Sequence, residues 1–222
     1  MSNAILVIGE SGTGKSTSIR NLDNKETFII NVLGKTLPFK GANKTYSNVS
    51  QDWSEGNSYS SSDNTKVIKA IKYINNSRLD IKNLIIDDFI YLMSSEFMEK
   101  ALIKGFDKFS EMAKNAWDII RCVSSCRDDL FCVILTHSET TNEGKVKCKT
   151  LGKMLDDKIN IEGMFTTVLH SLIVDGEYKF LTQNNGQFMA KSPMGMFDKK
   201  LIDNDLSFAK QRMTSYLDED IL

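Results

Sequence analysis

Residues 4–16 read Ala-Ile-Leu-Val-Ile-Gly-Glu-Ser-Gly-Thr-Gly-Lys-Ser, an apolar run that leads directly into a glycine-rich loop. The loop, residues 9–16, matches the pattern G-x-x-x-x-G-K-[ST], and residues 15 to about 21 are predicted to form a helix after it. A buried strand before this pattern and a helix after it are the surroundings that a phosphate-binding loop requires. These residues therefore predict an α/β domain that binds a nucleoside triphosphate together with Mg2+.

Each residue type in the loop suits the binding of phosphate and Mg2+ for a chemical reason. The glycines let the backbone bend so that its N–H groups point inward at phosphate oxygens. Lys15 supplies a positive charge to the β- and γ-phosphates, and Ser16 offers its hydroxyl to the magnesium ion. We expect the nucleotide to contact the loop and the start of the helix, that is Gly9, Glu10, Ser11, Gly12, Thr13, Gly14, Lys15, Ser16 and Thr17.

The composition is that of an ordinary globular protein. The 222 residues can bury a sizeable core, and we expect one domain over residues 1–222. The net charge is −1, so any contact with nucleic acid must come from a local basic patch. Charge and glycine interrupt the first apolar run after Ile8, and no apolar stretch approaches the roughly 18 residues of a membrane span. We therefore expect neither a signal peptide nor a membrane partner.

The cysteines do not have the spacing of a metal site. No C-x-x-C pair occurs among Cys122, Cys126, Cys132 and Cys148. We therefore interpret them as small, reduced thiols of a cytoplasmic protein.

Apolar periodicity places the other elements. Strands are predicted at about 4–8, 27–32, 84–86, 131–135, 166–174 and 177–182, and helices at about 65–77, 89–103, 107–127 and 205–217. Residues 33–64 are interpreted as a long loop, Asp175-Gly176 as a hairpin turn, and residues 205–222 as a final helix with an acidic tip. Alternating strands and helices predict a mainly parallel sheet with helices on both faces, a ligand at the carboxyl ends of the strands and an antiparallel hairpin at one edge.

Two carboxylates follow the predicted strand at 84–86. An apolar strand that delivers acids beside a phosphate loop is typical of a Walker B segment, in which one carboxylate holds Mg2+ through its water shell. We assign Asp87 to magnesium and consider Asp88 a candidate for orienting or deprotonating the attacking water. Glu10, inside the loop, is the alternative catalytic carboxylate, and a cap on the following helix is the structural alternative for the acid pair.

Three further groups are functional candidates. Thr136 and His137 end a predicted strand at a position that faces the γ-phosphate in sheets of this kind, so His137 is a candidate sensor. The lysines of one segment are candidates for contact with a nucleic-acid backbone or with a neighbour's triphosphate, or they form a solvated loop: Lys145, Lys147, Lys149 and Lys153. Lys191 follows a polar turn and is either part of a linker or a lysine that reaches a neighbouring subunit.

The chain resembles a family of phage proteins. The amino-terminal phosphate loop, Asp87-Asp88, the strand ending in Thr136-His137 and the Lys-Ser-Pro segment at 191–193 together look like the small nucleotide-binding proteins of bacteriophages and prophages that have a RecA/RadA-like core. Some of these proteins act as single-strand annealing recombinases, the ATPase type of Sak proteins. Segments 28–41, 150–162 and 183–197 also look like that family, so the resemblance spans most of the chain.

The resemblance implies a RecA-like P-loop ATPase core, with ATP and Mg2+ held between adjacent protomers of a ring or filament on single-stranded DNA. Gly9, Gly14, Lys15 and Ser16 match the family's phosphate loop, and Asp87 matches its Walker B acid. Lys191 sits where such cores place a lysine that reaches the neighbour's γ-phosphate. A single-strand DNA-binding protein is a further candidate partner, and the host cytoplasm is the expected location.

Two departures favour annealing or an accessory role over filament formation and strand exchange. The first departure is that no clear polymerisation segment is recognised ahead of the core in this sequence. The second is that no aromatic residue lies between the lysines of the lysine segment, where it could stack on a base.

Two other functions stay open from the residues alone. A small-molecule or nucleotide kinase also opens with a phosphate loop, but such enzymes need clustered arginines in a lid. The five arginines are well separated in sequence: Arg20, Arg78, Arg121, Arg127 and Arg212. A nucleotide-dependent switch or packaging factor with a protein partner is the second alternative.

Overall fold

The apolar run at the amino terminus forms the strand β1 (Asn3–Gly9), which lies in the middle of a mixed sheet. The computed structural model describes residues 3–151 and 159–218, and within them the sheet has nine strands. The others are β2 (Thr27–Asn31), β3 (Ser58–Tyr59), β4 (Asn83–Asp87), β5 (Phe131–Thr140), β6 (Val146–Cys148), β7 (Thr167–Val174), β8 (Glu177–Leu181) and β9 (Leu201–Asp203). Their order is β3-β2-β4-β5-β1-β7-β8-β9, with β6 paired to β5.

The pairing directions agree with the predicted α/β class. Strands β3, β2, β4, β5, β1 and β7 are parallel, whereas β8 and β9 continue the sheet in antiparallel fashion at one edge. Asp175 and Gly176 form the turn between β7 and β8 with φ values of 51° and 80°, which confirms the predicted hairpin. β9 was not predicted, because three residues are too few for a periodicity signal.

Helices cover both faces of the sheet. They are α1 (Ala42–Thr45), α2 (Asn64–Ser77), α3 (Ile90–Glu99), α4 (Asp107–Ser124) and α5 (Leu206–Asp218), with short 3-10 helices at Ser16–Asn21 and Glu162–Met164. Alternate side chains of β1 are buried on opposite faces of the sheet. Leu6 and Ile8 belong to the hydrophobic cluster that includes residues of α2, α3 and α4. Ile5 and Val7 belong to the cluster that includes residues of α5. Burial on both faces explains why β1 reads as an uninterrupted apolar run.

Local signals account for the helix limits. The Asp63 side chain accepts a hydrogen bond from the Lys66 amide and caps α2, whose apolar positions face the core. α3 ends at Glu99 rather than near 103, because the apolar residues that follow, Leu102 and Phe106 among them, are exposed and bury no helix face. The predicted loop at 33–64 contains α1 and β3, elements too short to leave a periodic pattern.

β5 is longer than predicted. Thr136 and His137 do not end it, because the lysine segment folds back as β6 and pairs Ser138 with Cys148 and Thr140 with Val146. The antiparallel partner supplies the ladder hydrogen bonds that keep this polar end extended. Lys153 and residues 219–222, including part of the acidic tip, lie outside the described residues. Over 3–151 and 159–218, no helix combines the length and apolar character that crossing a bilayer requires.

Candidate functional site

The phosphate loop follows β1 and is braced from behind by β7. β1 pairs with β7 so that Gly9 lies opposite Ser171, whose hydroxyl donates a 2.6 Å hydrogen bond to the Thr13 carbonyl. A Cβ on Gly9 would lie 2.5 Å from the Ser171 carbonyl oxygen, so only glycine allows the strand and loop to approach this closely. The close contact fixes where the loop leaves the sheet.

A second brace supports the loop at Gly14. This residue has φ +94°, and a Cβ there would lie 2.9 Å from Cδ1 of Tyr178 and 3.1 Å from the side-chain oxygen of Asn204. Asn204 also donates to the Ser171 hydroxyl at 3.1 Å, and Arg20 donates to the Asn204 carbonyl at 2.6 Å. The antiparallel edge of the sheet therefore holds the loop in its bent conformation.

Lys15 is a buried cation held by backbone oxygens. Its side chain reaches back over the loop, and Nζ donates to the carbonyls of Gly9 at 2.9 Å and Glu10 at 2.6 Å. The residue is only 7% exposed, and burial lowers the pKa of its ammonium to about 8 despite the opposing charges of Asp87 and Asp88. Among the described residues no carboxylate lies within 4.0 Å of it. A buried cation without a paired anion is what an anion-binding site requires.

Ser16 and Asp87 meet at the same edge of the sheet. The Ser16 hydroxyl donates a 2.9 Å hydrogen bond to Oδ1 of Asp87, the last residue of β4. Asp87 is almost fully buried, and this burial, together with the charge of Asp88, raises the pKa of its carboxyl to about 6. The hydrogen bond from Ser16 and the charge of Lys15 act in the opposite direction. The predicted partners of the metal therefore lie side by side.

Asp88 has different partners from Asp87. It adopts the left-handed φ of 65° at the turn into α3, so its carboxylate lies 3.1 Å from Nζ of Lys35 and 3.6 Å from Nε2 of His137. Burial alone would raise the pKa of Asp88, but the contacts of its carboxylate with His137 and Lys35 outweigh burial, and the pKa is lowered. Tyr91 completes the cluster: its ring lies edge-on to His137 and under the Lys35 ammonium at 5.1 Å.

These groups surround one cavity of about 410 Å3. Of the predicted site residues, the lining includes Ser11, Gly12, Gly14, Lys15, Ser16, Thr17, Asp87, Asp88 and His137. Gly9, Glu10 and Thr13 support the loop instead of lining the cavity: Gly9 and Glu10 through the carbonyls that Lys15 binds, and Thr13 through its bond to Ser171. The Glu10 side chain is exposed.

The register decides which of the two β5 residues Thr136 and His137 faces this cavity. Thr136 lies opposite Ile8 and is fully buried, with no hydrogen-bond partner for its hydroxyl among the described residues. His137 lies opposite Gly9, on the other face, and lines the cavity. The candidate sensor is therefore placed beside the loop, whereas Thr136 belongs to the core.

The predicted lysines lie elsewhere. Lys191 pairs through its backbone with Val168, which lies opposite Leu6, three residues before the loop, and it is not among the residues lining the cavity. Lys145 and Lys149 are exposed on either side of β6, and Nζ of Lys147 lies 3.5 Å from Oε1 of Glu139. A contact of Lys191 with the triphosphate of its own chain is not indicated by this placement, and its action in a neighbouring copy stays a prediction.

Seven residues that line the cavity or brace the loop were missed from the sequence: Lys35, Thr36, Pro38, Tyr91, Ser171, Tyr178 and Asn204. Lys35 was within reach of sequence reasoning, because it closely follows a predicted strand and the carboxyl ends of parallel strands meet at one edge. Ser171 and Asn204 carry no pattern of their own, since they are polar residues whose importance depends on which strand lies next to β1.

The residues present fit a hydrated metal ion and not a dedicated metal cage. No group of three or more His, Cys, Asp and Glu suited to a metal occurs in the described part of the chain. Mg2+ keeps several waters and is usually bound by one or two carboxylates together with substrate phosphates. Ser16 and Asp87 can supply the protein's share of such a shell, and the open space around Gly12, where a Cβ would meet nothing within 4 Å, leaves room for an anion at the loop.

No known protein-family model matches the chain, and no curated protein matches it significantly.

Proposed function

We propose that this chain binds and hydrolyses ATP on a RecA-like core and acts on single-stranded DNA in recombination, annealing or replication. One observation carries the nucleotide part of the proposal: buried Lys15, whose ammonium binds carbonyl oxygens alone within the described residues, lines the same 410 Å3 cavity as Ser16 and Asp87. A desolvated cation, a hydroxyl and a carboxylate at one loop suit a triphosphate with its magnesium ion.

The chain's own residues have separate tasks in this proposal. Lys15 neutralises the bound phosphates, and Asp87, through water, holds the metal that polarises the terminal phosphate. Asp88 is the carboxylate that lines the cavity with a low pKa, so it is the group proposed to orient the attacking water. Glu10 is less suited to this role, because its side chain is exposed outside the cavity lining.

Hydrolysis is favoured over transfer to a second substrate. Kinases surround the transferring phosphoryl group with arginines that shield it from water. Within the described residues, none of the five arginines lines the cavity. Arg20, the one nearest in sequence, is engaged with the carbonyls of Thr17 and Asn204.

The strand order and the exposed lysines bear on the RecA-like core and on the partners. In the sheet, β4 and β5 separate β1 from β2, an order unlike that of dinucleotide-binding folds, where the first two strands are neighbours. The parallel strands end in an antiparallel group at one edge. The action on single-stranded DNA and the assembly into a ring or filament are proposed from the family resemblance, and the exposed Lys145 and Lys149 are candidate phosphate contacts.

ATP turnover with and without a single-stranded oligonucleotide tests the proposal. We expect Mg2+-dependent turnover that the oligonucleotide stimulates at low salt, because phosphate contacts weaken steeply with ionic strength. Asp87→Asn should abolish turnover while the protein stays folded, and Asp118→Asn on the outer side of α4 is the matched control. Absence of ATP binding would exclude the nucleotide function, and turnover with neither stimulation nor DNA binding would exclude only the DNA function.

A further inference from the structure

Lys35 is a second cation at the cavity, across from the phosphate loop. It belongs to the turn after β2: Gly34 has φ +64°, and the buried Asn31 side chain donates a 2.6 Å hydrogen bond to the Lys35 carbonyl. The turn reverses the chain so that Lys35 lies above the end of β4, where Asn31 is the register partner of Asp87. The backbone that carries this lysine is therefore firmly placed by the sheet.

The two cations differ in how tightly they are held. Lys15 is buried and bound to two carbonyls of its own loop. The Lys35 side chain is 59% exposed, and its contacts are a 3.1 Å ion pair with Asp88 and the face of the Tyr91 ring. The lysine end of this ion pair lies in solvent, whereas the Asp88 side chain is only 13% exposed. A ligand of higher negative charge can therefore replace Asp88 as the partner of Lys35 only if Asp88 keeps another partner in the cavity.

The position of Lys35 in the cavity indicates which phosphate of the nucleotide it would contact. Asp87 and Asp88, the residues next to it, are those proposed to act at the metal and the attacking water, so the phosphate nearest to them is the terminal one. Asp88 has a second partner in His137 at 3.6 Å, and it keeps that partner when Lys35 leaves. Departure of the ammonium frees the oxygen Oδ2 to accept a hydrogen bond from water.

We propose that Lys35 recognises the terminal phosphate of the nucleotide and, by leaving Asp88, couples the presence of that phosphate to the freeing of the Asp88 carboxylate. This inference rests on the proposed nucleotide function and adds to it a residue that distinguishes a triphosphate from a diphosphate. In this proposal Lys35 binds the terminal phosphate and does not react with it. The chemical roles remain those proposed for Asp87 and Asp88.

Calorimetric titration of the full chain with a non-hydrolysable ATP analogue and with ADP, both with Mg2+, tests this role without relying on turnover. Lys35→Gln should weaken binding of the analogue about tenfold, the size of one lost charge-assisted hydrogen bond, and change the affinity for ADP less than about twofold. Lys35→Arg, which keeps the charge, should retain most of the preference for the analogue. Lys40→Gln, an exposed lysine of the same segment that does not line this cavity, should behave as the wild type.

The outcomes separate this inference from the proposed function. Equal losses for both nucleotides, or no loss for either, with the wild type binding both, would overturn the role of Lys35 and leave nucleotide binding intact. Failure of the wild type to bind either nucleotide would overturn both proposals. A selective loss for the analogue, restored by arginine, would support the role of Lys35.

Discussion

Asp87 and Asp88 are neighbours in sequence with opposite electrostatic surroundings. Asp87 points into the sheet edge, where burial raises the pKa of its carboxyl to about 6 and Ser16 is its hydrogen-bond donor. Asp88 turns the other way because of its left-handed backbone, and Lys35 and His137 lower its pKa. One residue in the left-handed region thus divides a pair of identical side chains between the Ser16 hydroxyl and the Lys35–His137 pair.

Lys15 allows a test in which binding and stability change in different directions. Its ammonium is buried at a cost that shows as a pKa lowered from 10.5 to about 8. Lys15→Met removes that charge, so we expect affinity for Mg-ATP to fall more than about a hundredfold while the free energy of unfolding at pH 7 is unchanged or up to about 3 kcal/mol higher. Calorimetry and urea unfolding measure the two effects.

Lys25→Met, at an exposed position before β2, is the control for the loss of a lysine as such. A large loss of stability in Lys15→Met without nucleotide would show that the lysine is structural, contrary to the anion-binding role proposed for it.

At the scale of elements, the antiparallel edge shapes the phosphate loop. Gly12 and Gly14 both have left-handed φ values, +81° and +94°, but only Gly14 contacts a neighbouring strand. Gly12→Ala should cost the strain of a left-handed alanine, about 1–2 kcal/mol, whereas Gly14→Ala should cost at least about 1 kcal/mol more, because its Cβ meets Tyr178. Thermal or urea unfolding measures the difference.

Tyr178→Ala in the Gly14→Ala background separates strain from contact. If β8 braces the loop as described, this second change should recover much of the additional loss, giving a coupling energy between the two positions. Equal effects of the two glycine substitutions, with no coupling to Tyr178, would contradict the brace.

β7 carries a histidine that makes stability depend on pH. His170 is buried beside Phe188, and burial, with a smaller effect of the Lys15 charge, lowers its pKa from 6.5 to about 4. Between those values the unfolded chain binds more protons than the native one, so the free energy of unfolding falls as the pH drops from 6.5 towards 4.

We expect the wild type to lose about 2–3 kcal/mol of stability from this group between pH 7 and pH 4.5, and His170→Gln to lack that loss. Asp87, with its raised pKa, has the opposite influence in this range, but it is common to both proteins and cancels in the difference. Urea unfolding at several pH values measures this difference in the free energy of unfolding. If the free energies of the two proteins change equally with pH, His170 is not the group responsible for the loss.

At the scale of the whole molecule, the position of Lys191 bears on assembly. It lies along β7 at Val168, away from the cavity of its own chain, so a role at the nucleotide requires a neighbouring copy. If copies share each site, Lys191→Ala and Asp87→Asn are each inactive alone, but their mixture should recover about a quarter of wild-type turnover, since one interface in four combines an intact cleft with an intact lysine.

Turnover of the mixed and separate proteins at equal total concentration is the measurement. A mixture as inactive as its components, when the two variants are shown to assemble together, would contradict the shared site. Activity of Lys191→Ala alone would exclude the lysine from the reaction.

The sequence by itself determined the α/β class, the glycine-rich loop at the end of β1, the two acids at the end of β4 and the hairpin of β7 and β8. These are local features: an apolar run, a glycine pattern and a turn dipeptide depend only on residues close together in the chain. The tertiary structure alone decided that His137 and not Thr136 faces the cavity, that Lys35 reaches Asp88, and that Ser171, Tyr178 and Asn204 brace the loop. Those contacts depend on strand order and register, and a shift of one residue in register exchanges the faces of a strand, which no local pattern reveals.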